Sequence, residues 1–259
     1  MNIKRAFITG AASGIGKAVA QALHRQGWLL ALADVNKEAL SDLANSLHSE
    51  NHSNPAQCFT LNVCDAQAFQ QAIEDFCQSQ PLNLLFNCAG VLTMGEFSDV
   101  NITDHHRTID VNIKGTLNGC AAAFEYLKQA DESHVINVSS ASSNYGVPHL
   151  ASYSASKFAI KGFTEALELE WAQYGIRVCD IVPPFVKTHM LSSQTFVAPV
   201  MDSLGVDLSP EDVANTVLKA LTKRSVHHPV GKLYTVLHTL SDLSLSPINR
   251  VIMKRLAKL

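Results

Sequence analysis

Short apolar runs alternate along the chain with longer segments in which apolar residues recur every three or four positions. "RAFIT" (5–9), "WLLALAD" (28–34), "QCFTLNV" (57–63), "LNLLFNCAG" (82–90), "HVINVSS" (134–140) and "IRVCDIV" (176–182) predict six strands. Between them, helical periodicity predicts helices from Gly14 to Gln26 and over 36–50, 65–79, 103–129 and 152–174. The strand runs do not alternate apolar with polar, which points to strands buried on both faces, as in a parallel sheet covered by helices. Repeated β-α units with right-handed crossovers predict an α/β fold: a doubly wound parallel sheet with helices on both faces, in the Rossmann manner.

After Pro183 and Pro184 the pattern breaks, and residues 184–208 are apolar but irregular, with Phe185, Met190, Leu191, Phe196, Val197, Val200, Met201 and Leu204. This stretch is expected to form a substrate loop. "SPEDVANTVLKAL" then opens a helix with Ser209 as N-cap and Pro210 in the first turn. "KLYTV" (232–236) is expected to be a seventh strand, and the tail 247–259 a helix with Ile248, Val251, Ile252, Leu256 and Leu259 on one face. No repeat, low-complexity linker or domain boundary stands out, so residues 1–259 are expected to form a single domain.

At 259 residues and 47% hydrophobic, the chain can bury a large core. A net charge of −3 gives no general affinity for nucleic acid, but the charge is uneven. Residues 219–259 carry eight Lys/Arg against Asp242 alone, +7, leaving −10 for the rest. Six cysteines without a CxxC pair, and no His at metal-ligand spacing, read as small apolar fillers, with neither a disulfide frame nor a metal site expected. The N-terminus enters a strand-like run at once, and no apolar run reaches the length of a membrane span. The terminal "AKL" lies near a peroxisomal address but discriminates poorly, so a cytoplasmic protein is expected.

The chemistry begins at "TGAASGIGKAV", which joins the first strand to the first helix. Gly10 permits a tight turn, Gly14 lets the backbone approach a phosphate, and Gly16 allows helix and strand to pack closely. The N–H groups at the helix start then favour a pyrophosphate. A Gly-rich turn alone is weak, but here it has the strand–turn–helix setting that the function needs. Asp34 ends the second strand, 18 residues beyond Gly16. A carboxylate there can accept both ribose hydroxyls of an adenosine and would repel a 2′-phosphate. With no basic residue at Ser13 or Val35, NAD is expected in preference to NADP.

"YSASK" (153–157) places a phenol and an ammonium one helical turn apart, a spacing of about 6 Å that is common by chance. The spacing gains weight because "TGAASGIG", "NCAG" (87–90), "VN" (111–112), "NVSS" (137–140) and "YSASK" occur together in order. In these motifs, over about residues 3–222, the sequence resembles the short-chain dehydrogenase/reductase family. The resemblance implies that Tyr153 is the general acid/base, that Lys157 stabilises its phenolate and binds the nicotinamide ribose, and that Ser140 donates to the substrate oxygen. It also implies that Asn112 holds a water in a proton relay behind Lys157. A free phenol titrates near pH 10 (about), too high for a good base at neutrality, which is why a nearby cation matters. The resemblance further implies cofactor contacts by Ser13, Ile15, Asn62, Val63, Asn87, Ala89, Gly90, Val186 and Thr188, besides Gly10, Gly14, Gly16, Asp34, Tyr153 and Lys157.

Three positions depart from the family pattern: Cys88 replaces an Asn, Asn62 an Asp beside the adenine, and Pro184 a Gly at the loop entrance. Asn62 retains an amide oxygen that can accept a hydrogen bond. The expected function is hydride transfer between NAD(H) and a lipophilic secondary alcohol or ketone, by a homodimer or homotetramer. Two other classes remain open: a dinucleotide-binding sensor without turnover, and an epimerase or dehydratase of the wider superfamily. The basic tail is expected to dock on the protein and help cover the substrate cleft, with contact to an anionic membrane surface as the less favoured reading.

Overall fold

The computed structural model describes residues 3–50, 55–232, 234–236 and 246–257, the last of these by backbone alone over 246–250. Seven strands form one parallel sheet in the order β3-β2-β1-β4-β5-β6-β7. They are β1 (Arg5–Thr9), β2 (Leu29–Asp34), β3 (Gln57–Thr60), β4 (Leu84–Asn87), β5 (Ser133–Val138), β6 (Ile176–Val182) and β7 (His227–Pro229). The helices are α1 (Gly14–Arg25), α2 (Lys37–Glu50), α3 (Ala66–Cys77), α4 (Ile102–Ile109), α5 (Gly115–Leu127) and α6 (Ala151–Trp171). Beyond them lie α7 (His189–Ser192), α8 (Pro199–Leu204), α9 (Pro210–Ala220) and α10 (Ser246–Leu256).

Successive residues of β1 show why the strands do not alternate. Ala6 and Ile8 pack into one apolar layer with Leu23 of α1 and Val213 and Val217 of α9. Phe7, between them, points the other way, into a layer with Phe69 and Phe76 of α3 and Ala123 of α5. Both faces of the strand are therefore dry over Ala6–Ile8, and each of these three positions is apolar for a reason of its own.

The structure corrects four expectations. "KLYTV" is not a strand: residues 232 and 234–236 are helical, and β7 is the preceding "HHP". A three-residue edge strand leaves no periodic trace, and Pro229 is tolerated there because an edge position can lack an N–H. The long helix over 103–129 is interrupted by a π-helical turn at Asp110–Lys114. The irregular stretch 184–208 contains two short helices, α7 and α8.

The fourth correction concerns the tail. Its helix α10 does dock, setting Met253 and Leu256 against Ala198, Val200 and Met201, and Ser203 Oγ donates to the Leu256 carbonyl at 2.9 Å. Of the expected apolar face Leu256 is used, but Val251 is 69% and Ile252 50% exposed, and Met253 takes the inward position instead. The side chains of Ile248 and Leu259 lie outside the described residues. Amphipathic periodicity had two apolar sectors to choose from, and only the partner α8 decides between them.

One polar cluster sits within the sheet. Asp180 of β6 is fully buried and accepts from His227 Nδ1 of β7 at 2.9 Å, while His227 Nε2 meets Glu165 Oε1 of α6 at 3.0 Å. The bond to Asp180 raises the His227 pKa above its usual 6.5, and burial raises that of Asp180 above 3.8. Both groups hold their protons more tightly folded than unfolded. Stability from His227 is thus complete below pH 6.5 and is lost as pH rises through its raised folded value. The melting temperature of the native chain should therefore fall above pH 6.5 relative to a His227→Gln variant. Parallel melting curves for the two proteins over that range would refute the linkage.

Candidate active site

The sheet order reverses between β1 and β4, and the loops leaving their C-terminal ends part to form a crevice. A cavity of about 750 Å³ fills it. Gly10 takes φ +63°, and a Cβ there would lie 2.9 Å from the main chain of Ala89. A Cβ on Gly16 would collide with the Gly10 carbonyl, so α1 can start close against β1 only with glycine at that position. Gly14, at φ +49°, faces the methyl of Thr188 on the opposite wall. The first turn of α1 carries no acidic side chain, which leaves its N–H groups to an anion.

Asp34 closes the far end of this wall. Its Oδ2 accepts from the Ala12 N–H at 3.1 Å and its Oδ1 from the Asn36 N–H at 3.0 Å. Those two bonds fix the carboxylate at the end of β2 and leave further lone pairs for the cavity that it lines. The Asn62 oxygen accepts from the Cys64 N–H at 3.1 Å, so any bond that it offers an adenine is shared with the loop. Ser13, Ile15, Val63, Ala89, Gly90, Val186 and Thr188 also line the cavity, where the motifs led one to expect them.

On the other side of the cavity stand Ser140, Tyr153 and Lys157. Ser140 follows β5 in extended conformation, and its Oγ accepts from the Ser142 N–H at 3.2 Å. Tyr153 and Lys157 occupy the first two turns of α6, with the ammonium 5.5 Å from the phenol ring centre. Lys157 Nζ donates to the Val138 carbonyl at 2.8 Å. Burial pushes the Tyr153 phenol up to about 12, a hydrogen bond with Ser140 opposing it. Burial pulls Lys157 down to about 8, with Asp180 opposing. With the ammonium held by Val138, desolvation dominates both groups.

Three expected residues lie behind the cavity wall, not on it. Gly16 serves packing. Asn87 is buried and donates to Asn137 Oδ1 at 2.9 Å, bridging β4 and β5. Asn112 sits in the π turn, where its Oδ1 accepts from the Val91 N–H (2.8 Å) and its Nδ2 donates to the Val91 carbonyl and Ser156 Oγ (both 3.0 Å). Its side chain is thus spent on tying the loop after β4 to α6.

Sequence reasoning missed Thr9, whose Oγ1 accepts the N–H groups of both Cys88 (3.0 Å) and Ala89 (3.1 Å) and so clamps the crevice floor. Its place just before Gly10 was the available signal. It also missed His149, held at φ +65° by Glu96 (2.9 Å) and packed against Phe196 of the loop over the cavity. No motif marks that residue. Among the described residues no His/Cys/Asp/Glu cluster could hold a metal, and no helix is long and apolar enough to cross a membrane.

A parallel doubly wound sheet with a Gly-rich turn at its switch point and a Ser-Tyr-Lys wall facing that turn defines a dinucleotide-type α/β protein. The short chain dehydrogenase family pattern matches residues 4–196. An uncharacterized oxidoreductase of Staphylococcus aureus is 34% identical over 223 residues, covering 86% of this chain and 92% of the relative. The chain belongs to the short-chain dehydrogenase/reductase family and is an oxidoreductase of that family. In fold it is similar to a short chain dehydrogenase of Mycobacterium paratuberculosis solved with NAD (TM-score 0.79, 23% identity, 88% of this chain and 96% of that one). It is equally similar to one from Sphingobium yanoikuyae solved with NADPH (TM-score 0.79, 21% identity, 88% and 87%).

Replacing Thr9 by the isosteric Val keeps the volume but strands two N–H groups, Cys88 and Ala89, at the crevice floor. The loss should be about 1–3 kcal/mol in urea unfolding, the cost of buried unsatisfied donors. An unchanged denaturation midpoint would show that water satisfies them.

Proposed function

We propose that the protein transfers a hydride between NAD(H) and a secondary alcohol or ketone, with Tyr153 exchanging the proton at the substrate oxygen. The observation that carries this reading is that Ser140, Tyr153 and Lys157 share one cavity with the Gly10–Gly16 turn and Asp34. The residues fit a nicotinamide dinucleotide: the acid-free start of α1 suits its pyrophosphate and the anchored Asp34 carboxylate its adenosine ribose. Bound there, the cofactor supplies the hydride acceptor or donor. Solved relatives carry NAD in one case and NADPH in another, and Asp34 favours NAD here because its charge opposes a 2′-phosphate.

In the reducing direction Tyr153, protonated well above neutral pH, donates its phenolic proton to the carbonyl oxygen as negative charge builds there. Ser140, already in hydrogen-bond contact with the phenol, donates to the same oxygen. Lys157, cationic below about pH 8, then stabilises the phenolate left behind. Asn112 spends its side chain on Val91 and Ser156, and its carbonyl accepts from Thr116 Oγ1, so a relay water behind Lys157 would share that carbonyl oxygen. The cavity lining includes the apolar Leu92, Phe185, Met190 and Leu191, which suits a lipophilic alcohol. A homodimer on α4 and α6 is supported by Ile102, Phe158 and Leu169, all exposed.

Tyr153→Phe should abolish turnover of secondary alcohols while NADH binding, read by fluorescence, stays near the native level. Ser140→Ala should lower kcat by about a hundredfold, the size for one donor to a developing oxyanion. Normal turnover by the Phe variant would overturn the acid/base assignment. Asp34→Ala should weaken NAD and improve NADP use, and a native enzyme that already prefers NADP would overturn the reading of β2.

A further inference from the structure

The cap over the cavity carries an unusual surface. Of the fifteen large apolar side chains exposed among the described residues, six fall on α7, α8, the loop between them, and α10. They are Met190, Phe196, Val197, Leu204, Val251 and Ile252. The segments form one unit, because Met253 and Leu256 bind α10 to Ala198, Val200 and Met201. Docking has satisfied one side of α10 and left Val251 and Ile252 in solvent, next to exposed Lys254 and Arg255.

Cations outnumber acids on this unit. Residues 246–259 contain four Lys/Arg and no acid, residues 184–201 contain Lys187 and no acid, and Asp202 of α8 is the first carboxylate. Exposed aliphatic side chains among cations, with Asp202 the one carboxylate on these three helices, match an anionic bilayer surface, where apolar groups enter the acyl boundary and cations meet phosphates. A second copy of the chain fits less well, since a twofold contact through this face would bring Lys254 and Arg255 toward their own counterparts.

We propose that the cap formed by α7, α8 and α10 is a docking surface for anionic lipid membranes. The same cap supplies Phe185, His189, Met190 and Leu191 to the cavity lining. Docking through it therefore turns the cavity mouth toward the bilayer, and a lipophilic alcohol or ketone dissolved there would reach Tyr153 without crossing water. That consequence rests on the dehydrogenase reading; the membrane contact does not.

The test is sedimentation of the full-length protein with vesicles of equimolar phosphatidylcholine and phosphatidylserine, and with phosphatidylcholine alone. The native chain should pellet with the anionic vesicles, and added salt should release it. Lys254→Glu with Arg255→Glu should weaken partitioning by more than about a hundredfold, since both attractive charges become repulsive. Val251→Ser with Ile252→Ser should weaken it too, and all these side chains are exposed enough for the variants to fold. Absence of binding by the native chain, or full binding by both variants, would overturn the proposal. So would a change of oligomeric state in the variants without a change in lipid binding, which would assign the surface to a second copy. Turnover of a water-soluble secondary alcohol should be the same in both variants as in the native chain. Loss of lipid binding with turnover intact thus separates this proposal from the catalytic one.

Discussion

The site depends on how closely two loops approach at the switch point. Where β1 and β4 part, the Thr9 hydroxyl takes two N–H groups from the facing loop, and Gly10 has no room for a side chain against Ala89. These contacts set the crevice width on the side where a pyrophosphate would lie. A hydroxyl is needed because one oxygen with two lone pairs can satisfy two converging donors. An apolar residue would leave both donors dry, and a larger polar one would force the loops apart.

The opposite wall is positioned by buried polar bonds between elements. Asn137 of β5 donates to Thr164 of α6, and Asn112 in the π turn donates to Ser156, whose own hydroxyl donates to the Tyr153 carbonyl at 2.7 Å. Ser154 Oγ accepts the Val147 N–H and so holds the loop before the helix. Apolar packing alone would let α6 slide along the sheet at little cost, because one aliphatic contact replaces another. Directional bonds in a dry setting do not permit that. They place the phenol and the ammonium relative to the glycine turn. The π turn serves the same purpose: its extra residue brings Asn112 to both Val91 and Ser156.

Most strands, the doubly wound parallel sheet and the motif residues of the cavity were legible because each carries its own local signal: apolar runs, glycines at fixed offsets, and Tyr and Lys one turn apart. The mostly exposed β3 carries the weakest signal. What was not legible depends on partners distant in sequence. β7 has three residues and takes its identity from pairing with β6. The buried face of α10 is chosen by α8, so Met253 and not Val251 faces inward. Asn87 and Asn112 belong to recognisable motifs, yet their work is to bond strand to strand and loop to helix, which spacing cannot reveal. His149 takes a left-handed conformation that a residue other than glycine adopts only when surroundings impose it, and its partners Glu96 and Phe196 lie about fifty residues to either side.

The electrostatics of the wall follow from the same burial that gives it precision. Taking Tyr153 and Lys157 out of water to hold them in register drives the phenol up toward 12 and the ammonium down toward 8, so each is pushed toward its neutral form. Cys88, whose thiol is itself pushed up to about 12 by burial, adds no charge to oppose this at neutral pH. Asp180, beneath Lys157 on β6, is the anion whose field favours the ammonium, and its own carboxyl is steadied by His227. The β6–β7 edge therefore also reaches the crevice through charge. A phenol held up toward 12 keeps its proton at neutral pH, beside an ammonium that burial has weakened.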